Sequence, residues 1–339
     1  MGIYFPTYQN RGWSEDRADS VPDMNSLDMV QCSIVGKAKQ QESECILLLT
    51  KKEFLLHIPI HSDTPIDLHM HTTYSDGRWS ADQLLDYLAQ QGFGLVAVTD
   101  HDRVETVAGI QQLGAQKQVA VLAGVEISAQ WQGKMADVLC YGFDPQDEIL
   151  RGIAEWVRQG QKANAEEVYE ELLRRGYRFP HRQEVLAARA GDLRVAGDSA
   201  TLLIKHGYVN DWPTALQMIR DAGYQEFKAD IAQTIEAVHR SGGVALIAHP
   251  GRGQHEDEFT FYTPHLLDQV LAEIPIDGIE VYYPTHSPEL VETYLAYAQQ
   301  HDLLISAGSD SHGPPGRLPI KYRAELCRRL FEQVGIQMQ

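Results

Sequence analysis

Short apolar runs that each end in a histidine or a carboxylate constrain this chain more than any other feature. Ile66 to His69 reads as a buried strand and closes on His69 and His71, in Asp67-Leu-His-Met-His71. Leu95 to Thr99 is followed by Asp100, His101 and Asp102. Val119 to Val125 runs into Glu126, and Val244 to Ala248 into His249. Leu303 to Ala307 leads to Asp310 and His312. Further strands are expected at Val138 to Gly142 and Gly278 to Tyr282. Helical patterns lie between them, one opened by the capping-box spacing Ser80-Ala-Asp-Gln83. Short buried strands alternating with helices predict an α/β domain with parallel strands. In parallel α/β barrels, catalytic groups gather past the C-terminal strand ends.

The rhythm breaks once. Glu148 to Arg175 reads as one long helix, and helical segments punctuated by glycine continue to about Phe227. Residues 150–228 are therefore expected to be a helical insertion, a cap over a main domain built from 66–149 and 229–339. Residues 1–65 read as an N-terminal extension, partly disordered, in which Cys45 to Thr50 and Phe54 to Ile60 could pair as a β-hairpin.

Charge narrows the function classes. The formal net charge is -18, and no run of Lys or Arg offers the basic face that duplex DNA demands. A nucleotide substrate stays open, because bound divalent cations can invert the local field. Cys32, Cys45, Cys140 and Cys327 have no C-x-x-C spacing, which argues against a zinc knuckle and suits a reducing cytoplasm. No signal peptide and no membrane-length apolar stretch is read from the sequence.

The strand-end residues point to metal chemistry. His69 and His71 alternate with Leu68 and Met70, so a strand presents both imidazoles on one face. Imidazole and carboxylate together suit Zn, Mn or Fe(II). A carboxylate such as Glu126 can bridge two ions, which together activate water and neutralise phosphoryl oxygens. A lone His-x-His would be weak evidence; ligand-type residues at five strand ends are not. The remaining histidines lie mostly in helices or loops and are read as structural.

Five motifs carry a resemblance. They are Asp67-Leu-His-Met-His-Thr-Thr-Tyr-Ser-Asp-Gly77, Thr99-Asp-His-Asp102, Gly124-Val-Glu-Ile-Ser128, Ala248-His-Pro-Gly-Arg252 and Ser309-Asp-Ser-His312. In order and spacing they resemble the PHP (polymerase and histidinol phosphatase) family, over 66 to about 313. The insertion and the Thr-Asp-His-Asp wording resemble the branch containing RNase AM, whose enzymes dephosphorylate 3′,5′-nucleotide bisphosphates and trim short RNA from the 5′ end. The resemblance implies a distorted (β/α)7 TIM-like barrel holding two or three divalent ions (Mn, Fe or Zn). His69, His71, Glu126 and Asp310 would hold one, Glu126 and His249 help hold a second, and Asp76, His101 and His312 a third. It implies hydrolysis of a phosphoester by metal-held hydroxide, with His101, Asp102 and His312 as catalytic residues. The substrate would be small and phosphorylated, a nucleotide or short oligonucleotide. Arg252 would bind a substrate phosphate or be a surface residue after a Pro-Gly turn.

Two departures stand out. Family members with a full trinuclear site usually carry a further His where this chain has Asp137, which is either a ligand or a solvated strand-end carboxylate. Enzymes like RNase AM carry Arg-Gly-His in the insertion, where this chain has Ala196-Gly-Asp198, so Asp198 occupies a candidate substrate-binding position with the charge reversed. The competing readings are an amidohydrolase-type metal hydrolase, whose bridging carboxylated Lys has no counterpart at a strand end here, and a non-catalytic PHP metal-binding module.

Overall fold

The computed structural model describes residues 60–339, apart from 190, 257 and 258. Its strands are β1 (Pro65–Asp67), β2 (Leu95–Ala97), β3 (Ala120–Leu122), β4 (Gly124–Ile127), β5 (Ala129–Trp131), β6 (Lys134–Met135), β7 (Val138–Tyr141), β8 (Ala229–Asp230), β9 (Val244–Ile247), β10 (Gly278–Tyr282), β11 (Leu304–Ala307) and β12 (Tyr322–Arg323). Helix α1 (Ala81–Gln91) starts at the expected capping box: Ser80 accepts from the Gln83 N–H, and the Gln83 side chain accepts from the Ser80 N–H. Helix α2 is Val104–Gln116, and α3 is Glu148–Arg174, capped by Asp147.

The ladders form three sheets, ordered β12-β1-β2-β3, β11-β10-β9-β7-β4 and β6-β5-β8. They do not form one continuous ring. Single bridges, Met70 to Ser311 and His101 to Glu126, join the first two sheets. The expected parallel pairing holds for β1–β2–β3 and for β9–β10–β11. It fails at β7, which runs antiparallel to both β4 and β9. The reason is local: residues 128–137 between β4 and β7 hold only the small β5–β6 pairing, and a parallel return needs a crossover of a dozen or more residues.

Strand alternation divides the core. Leu68, Leu95, Leu139, Tyr141, Leu246 and Leu304 share one cluster between the two large sheets. Their neighbours turn outward against helices: Val96 and Val121 against α1 and α2, Val138, Cys140, Ala245 and Ile279 against the rest. The two-residue side-chain period of a strand produces this split.

Among the described residues of 148–222 the regular elements are all helical. Helices α4 (Arg182–Val185), α5 (Gly197–Lys205) and α6 (Trp212–Asp221) follow α3. Leu150, Ala154 and Val157 of α3 enter the main core. Ala165, Val168 and Leu172, further along α3, enter a separate core with Leu202, Leu203 and Ile219. One helix thus belongs to two cores. The hairpin expected over 45–60 lies outside the described residues, except that Ile60 bridges Met338. Helices α7 (Ile231–Arg240), α8 (Pro264–Glu273), α9 (Pro288–Gln300) and α10 (Arg328–Gln333) complete the described chain. No described helix is long and apolar enough to cross a membrane.

Candidate metal centre

The C-terminal ends of β1, β2, β9 and β11 meet at one edge. Beyond Asp67 the first strand continues as single contacts, Leu68 N–H to Ala307 O and His71 N–H to Ser311 O. These hold His69 and His71 beside Asp310. Gly308 allows the approach, because a Cβ there would fall on the Cβ of His69. Asp137 reaches the same edge from the opposite direction: β7 is antiparallel, so its start lies where its neighbours end. The Ala248 N–H donates to the Asp137 carbonyl at 2.9 Å, which sets Asp137 beside His249.

Glu126 is the hub. Its Oε2 lies 3.1 Å from His69 Nε2, 3.2 Å from His71 Nε2 and 3.4 Å from His101 Nε2. Its Oε1 lies 3.1 Å from His249 Nε2. Asp310 Oδ1 lies 3.2 Å from His71 Nε2 and 3.6 Å from His69 Nε2. At the rim, His312 Nε2 lies 3.0 Å from Asp76 Oδ2.

Three groups of donors are close enough for each to share one ion: His69, His71 and Asp310; His71, Asp76 and His101; Glu126, Asp137 and His249. His71 rather than His312 completes the group at Asp76 and His101. The donor chemistry fits divalent cations, and two buried atoms support the fit. His71 Nε2 faces two carboxylates yet is in hydrogen-bond alignment with neither, and His101 Nδ1 has no partner among the described residues. Unsatisfied buried ring nitrogens are costly unless something else uses their lone pairs.

Electrostatics point the same way. Burial pulls the His71 imidazole down, but Asp310, Glu126 and Asp76 outweigh it and raise it to about 10. Burial works against the charge on Glu126, yet His101, His69 and His249 hold it well below the usual carboxylate range. Asp310 is held low in the same manner by His69, His71 and His312. Asp137 moves upward, through burial and the neighbouring Glu126 charge. In metal-free protein, protons on His69 and His71 would balance these carboxylates.

That balance has a pH signature. A His71 raised from 6.5 to about 10 stabilises the metal-free fold fully below pH 6.5, and this contribution is lost as pH rises towards 10. Chelator-treated protein should therefore lose on the order of 10 °C in thermal midpoint between pH 7 and 10. Adding a divalent ion should remove most of the slope. A metal-free midpoint that stays flat over that range contradicts the assignment.

Other candidates are placed differently. Arg252 reaches the cluster: its Nη1 lies 3.3 Å from Asp310 Oδ2, and its guanidinium stacks 3.7 Å from the Phe259 ring centre. Asp102 does not face the cluster's shared donors. Both of its oxygens accept from Ser128, from the N–H at 3.0 Å and the hydroxyl at 2.8 Å, and burial raises it to about 6. Asp198 is engaged within the insertion: it pairs with Arg189 and accepts from the Arg194 and Val195 N–H groups.

Sequence reasoning missed Glu280. It is fully buried, accepts from His69 Nδ1 at 3.0 Å and from the His249 N–H at 2.7 Å, and so holds two candidate ligands at once. The available signal was a lone charge inside the apolar run Gly278-Ile-Glu-Val-Tyr282. Asp67 was also missed as a brace. It accepts from the N–H groups of His69, Ser309 and Ile320, and burial still raises it to about 7. Tyr283 donates to Asp310 Oδ2 at 3.0 Å. Asp102, His249 and Asp310 have φ of 54°, 29° and 51°, a costly conformation for residues other than glycine that clusters at functional sites.

The PHP domain matches residues 67–332. The chain belongs to the PHP family. It is 28% identical over 270 residues to a 5′-3′ exoribonuclease of Haemophilus influenzae, covering 77% of this chain and 94% of that one. It is 27% identical over 277 residues to a 3′,5′-nucleoside bisphosphate phosphatase of Chromobacterium violaceum, covering 79% and 96%. Among solved structures, one from Bifidobacterium adolescentis assigned as a metal-dependent phosphoesterase superposes with a TM-score of 0.66 at 25% identity, covering 79% and 96%. One described as an amidohydrolase from Chromobacterium violaceum gives the same score and identity, covering 79% and 95%.

Proposed function

We propose that this PHP protein is a metal-dependent phosphomonoesterase acting on a nucleotide or short oligonucleotide. The observation that carries this is the convergence of three donor groups on Glu126, at the floor of a cleft of about 700 Å³. His69, His71 and Asp310, then His71, Asp76 and His101, then Glu126, Asp137 and His249 would hold up to three ions. The carboxylates among them favour Mn or Fe as much as Zn. Bound cations would supply Lewis-acid charge neutralisation and an acidified water.

The protein's own residues do the rest. Arg252, on Asp310 and at the cleft, offers a planar fork to a phosphate oxygen. His101 and His312, 30% and 31% exposed on the cleft side, can hold or pass a proton. Asp102, tied to Ser128, positions His101 through the backbone. The insertion over 150–228 serves as a cap that selects the substrate, and its residues line much of the cleft. The seven-stranded barrel reading is supported by the shared inner core and the two bridges between sheets.

The name of a structural neighbour keeps the amidohydrolase reading in view. Against it, the lysines that line the cleft are Lys162 and Lys228, and Lys228 is paired with Glu226. A panel with Mn supplied separates the readings. Nucleotides and short 5′-phosphorylated RNA should release phosphate or nucleotide at least a hundredfold faster than any amide or lactone is cleaved. Turnover of amides or lactones alone favours the amidohydrolase, and a protein with little metal and no turnover is a binding module.

A further inference from the structure

One side chain of the insertion grips the loop that carries a candidate ligand. The Nη1 of Arg194 donates to the carbonyls of Thr73 at 2.7 Å and Tyr74 at 3.1 Å, and reaches that of Ser75 at 3.5 Å. The next residue is Asp76, which shares a donor group with His71 and His101. Asp76 is the most exposed of the three, at 39% against 30% for His101 and 0% for His71, so its place depends most on the loop.

The barrel holds the same loop by its other groups. Asp100 accepts from the Thr72 N–H at 2.7 Å and hydroxyl at 2.6 Å, and from the Ser75 N–H at 3.2 Å and hydroxyl at 2.7 Å. A Cβ at Gly77 would fall on the His71 carbonyl, so the turn closes tightly against its own start. Asp100 thus takes N–H and hydroxyl donors of the loop, and Arg194 takes its carbonyls.

Arg194 is itself fixed within the insertion. Its N–H and that of Val195 donate to Asp198 at 2.7 and 3.1 Å, and Asp198 pairs with Arg189. Asp198 lies in the first turn of α5, whose Leu202 and Leu203 belong to the insertion's separate core. That core shares α3 with the main one.

We propose that Arg194 is a positioning residue through which the insertion sets the affinity of the rim ion, the one held by His71, Asp76 and His101. This rests on the metal reading of that donor group and adds the residue that governs it. Asp76 takes its place from the peptide units just before it. A charged donor holds a carbonyl more strongly than a neutral one, so a seated insertion keeps those units where the carboxylate meets His71 and His101. A displaced insertion releases them. Such coupling is reciprocal: if the seated insertion strengthens ion binding, the ion steadies the insertion by the same factor. Asp198 then serves as the brace of the turn that presents Arg194.

The test titrates full-length protein with Mn against a chelating dye. Asp76→Asn identifies the rim ion as the affinity that this variant loses. Arg194→Met keeps the stem and drops the donors. It should weaken the rim affinity about tenfold and leave the others within about twofold, as for the loss of a partner that orients one ligand. The three carbonyls converge on one nitrogen, so Arg194→Lys, with three donors on one nitrogen, should restore most of the affinity. Hydrogen exchange on wild-type protein gives the reciprocal readout. Saturating Mn should slow exchange across 191–200 by a similar factor, and Asp76→Asn should abolish that protection. A merely structural Arg194 would weaken all ions alike and leave exchange in the insertion indifferent to metal, which overturns the proposal. Unchanged rim affinity in Arg194→Met overturns it too and leaves the metal centre standing. A wild-type protein with no ion that depends on Asp76 overturns the rim site and the proposal with it.

Discussion

Glu126→Gln is expected to lower kcat on any phosphoester substrate by on the order of 10³-fold or more and to strip metal from the protein. The side chain is nearly isosteric, so the fold should survive and the effect should trace to charge. Glu126 faces His69, His71 and His101 through one oxygen and His249 through the other, so one carboxylate serves more than one donor group. A neutral amide turns an NH2 towards at least one ring nitrogen and removes the charge that would be shared between ions. Electrostatic stabilisation by metal sites contributes several kcal/mol, and about 1.36 kcal/mol is a tenfold change in rate. Metal analysis of the purified variant, circular dichroism and turnover with excess Mn separate the outcomes. A folded variant with near-normal metal content and rate would remove Glu126 from the centre.

Much of this centre was legible because strands carry their chemistry at predictable places. His69, His71, His101, Glu126, His249 and Asp310 each follow or end an apolar run, and the structure sets the four histidines around Glu126 and Asp310 beside His69 and His71. The long helix α3 was legible because the strand rhythm stops at Glu148. Other features depend on pairings that a linear pattern does not carry. The antiparallel direction of β7 follows from a short connection, and that direction is what delivers Asp137 to the ligand edge. Asp102 and Asp198 read in sequence as catalytic and substrate-binding carboxylates, and the structure adds partners that the sequence does not show: Ser128 for Asp102, and Arg189, Arg194 and Val195 for Asp198. An aspartate that bonds nearby backbone and one that binds a ligand have the same sequence appearance. Glu280 is the reverse case: it looks like an odd residue in a strand, and only the approach of His69 and His249 to β10 gives it partners.

Glu280→Gln should therefore weaken metal binding at one of two donor groups, by about 10- to 100-fold, the usual cost of losing the partner that orients a ligand. The carboxylate accepts from the ring of His69 through Oε1 and from the backbone of His249 through Oε2. A glutamine has one acceptor oxygen, so it can satisfy His69 or the His249 N–H but not both. If it keeps His69, the backbone of His249 loses the bond that helps hold it at a φ of 29°, a conformation costing on the order of 1–3 kcal/mol. Relaxation there would withdraw the His249 ring from Glu126. If it keeps His249, the His69 ring loses the partner that fixes its tautomer and leaves Nε2 for the metal. Either way one donor group suffers from a residue that belongs to neither. Competition titration with a chelating dye should show one weakened affinity, and chelator-treated variant should also melt lower, since a buried donor without an acceptor costs about 1–3 kcal/mol. Unchanged affinities would make Glu280 a strand residue with no part in the centre.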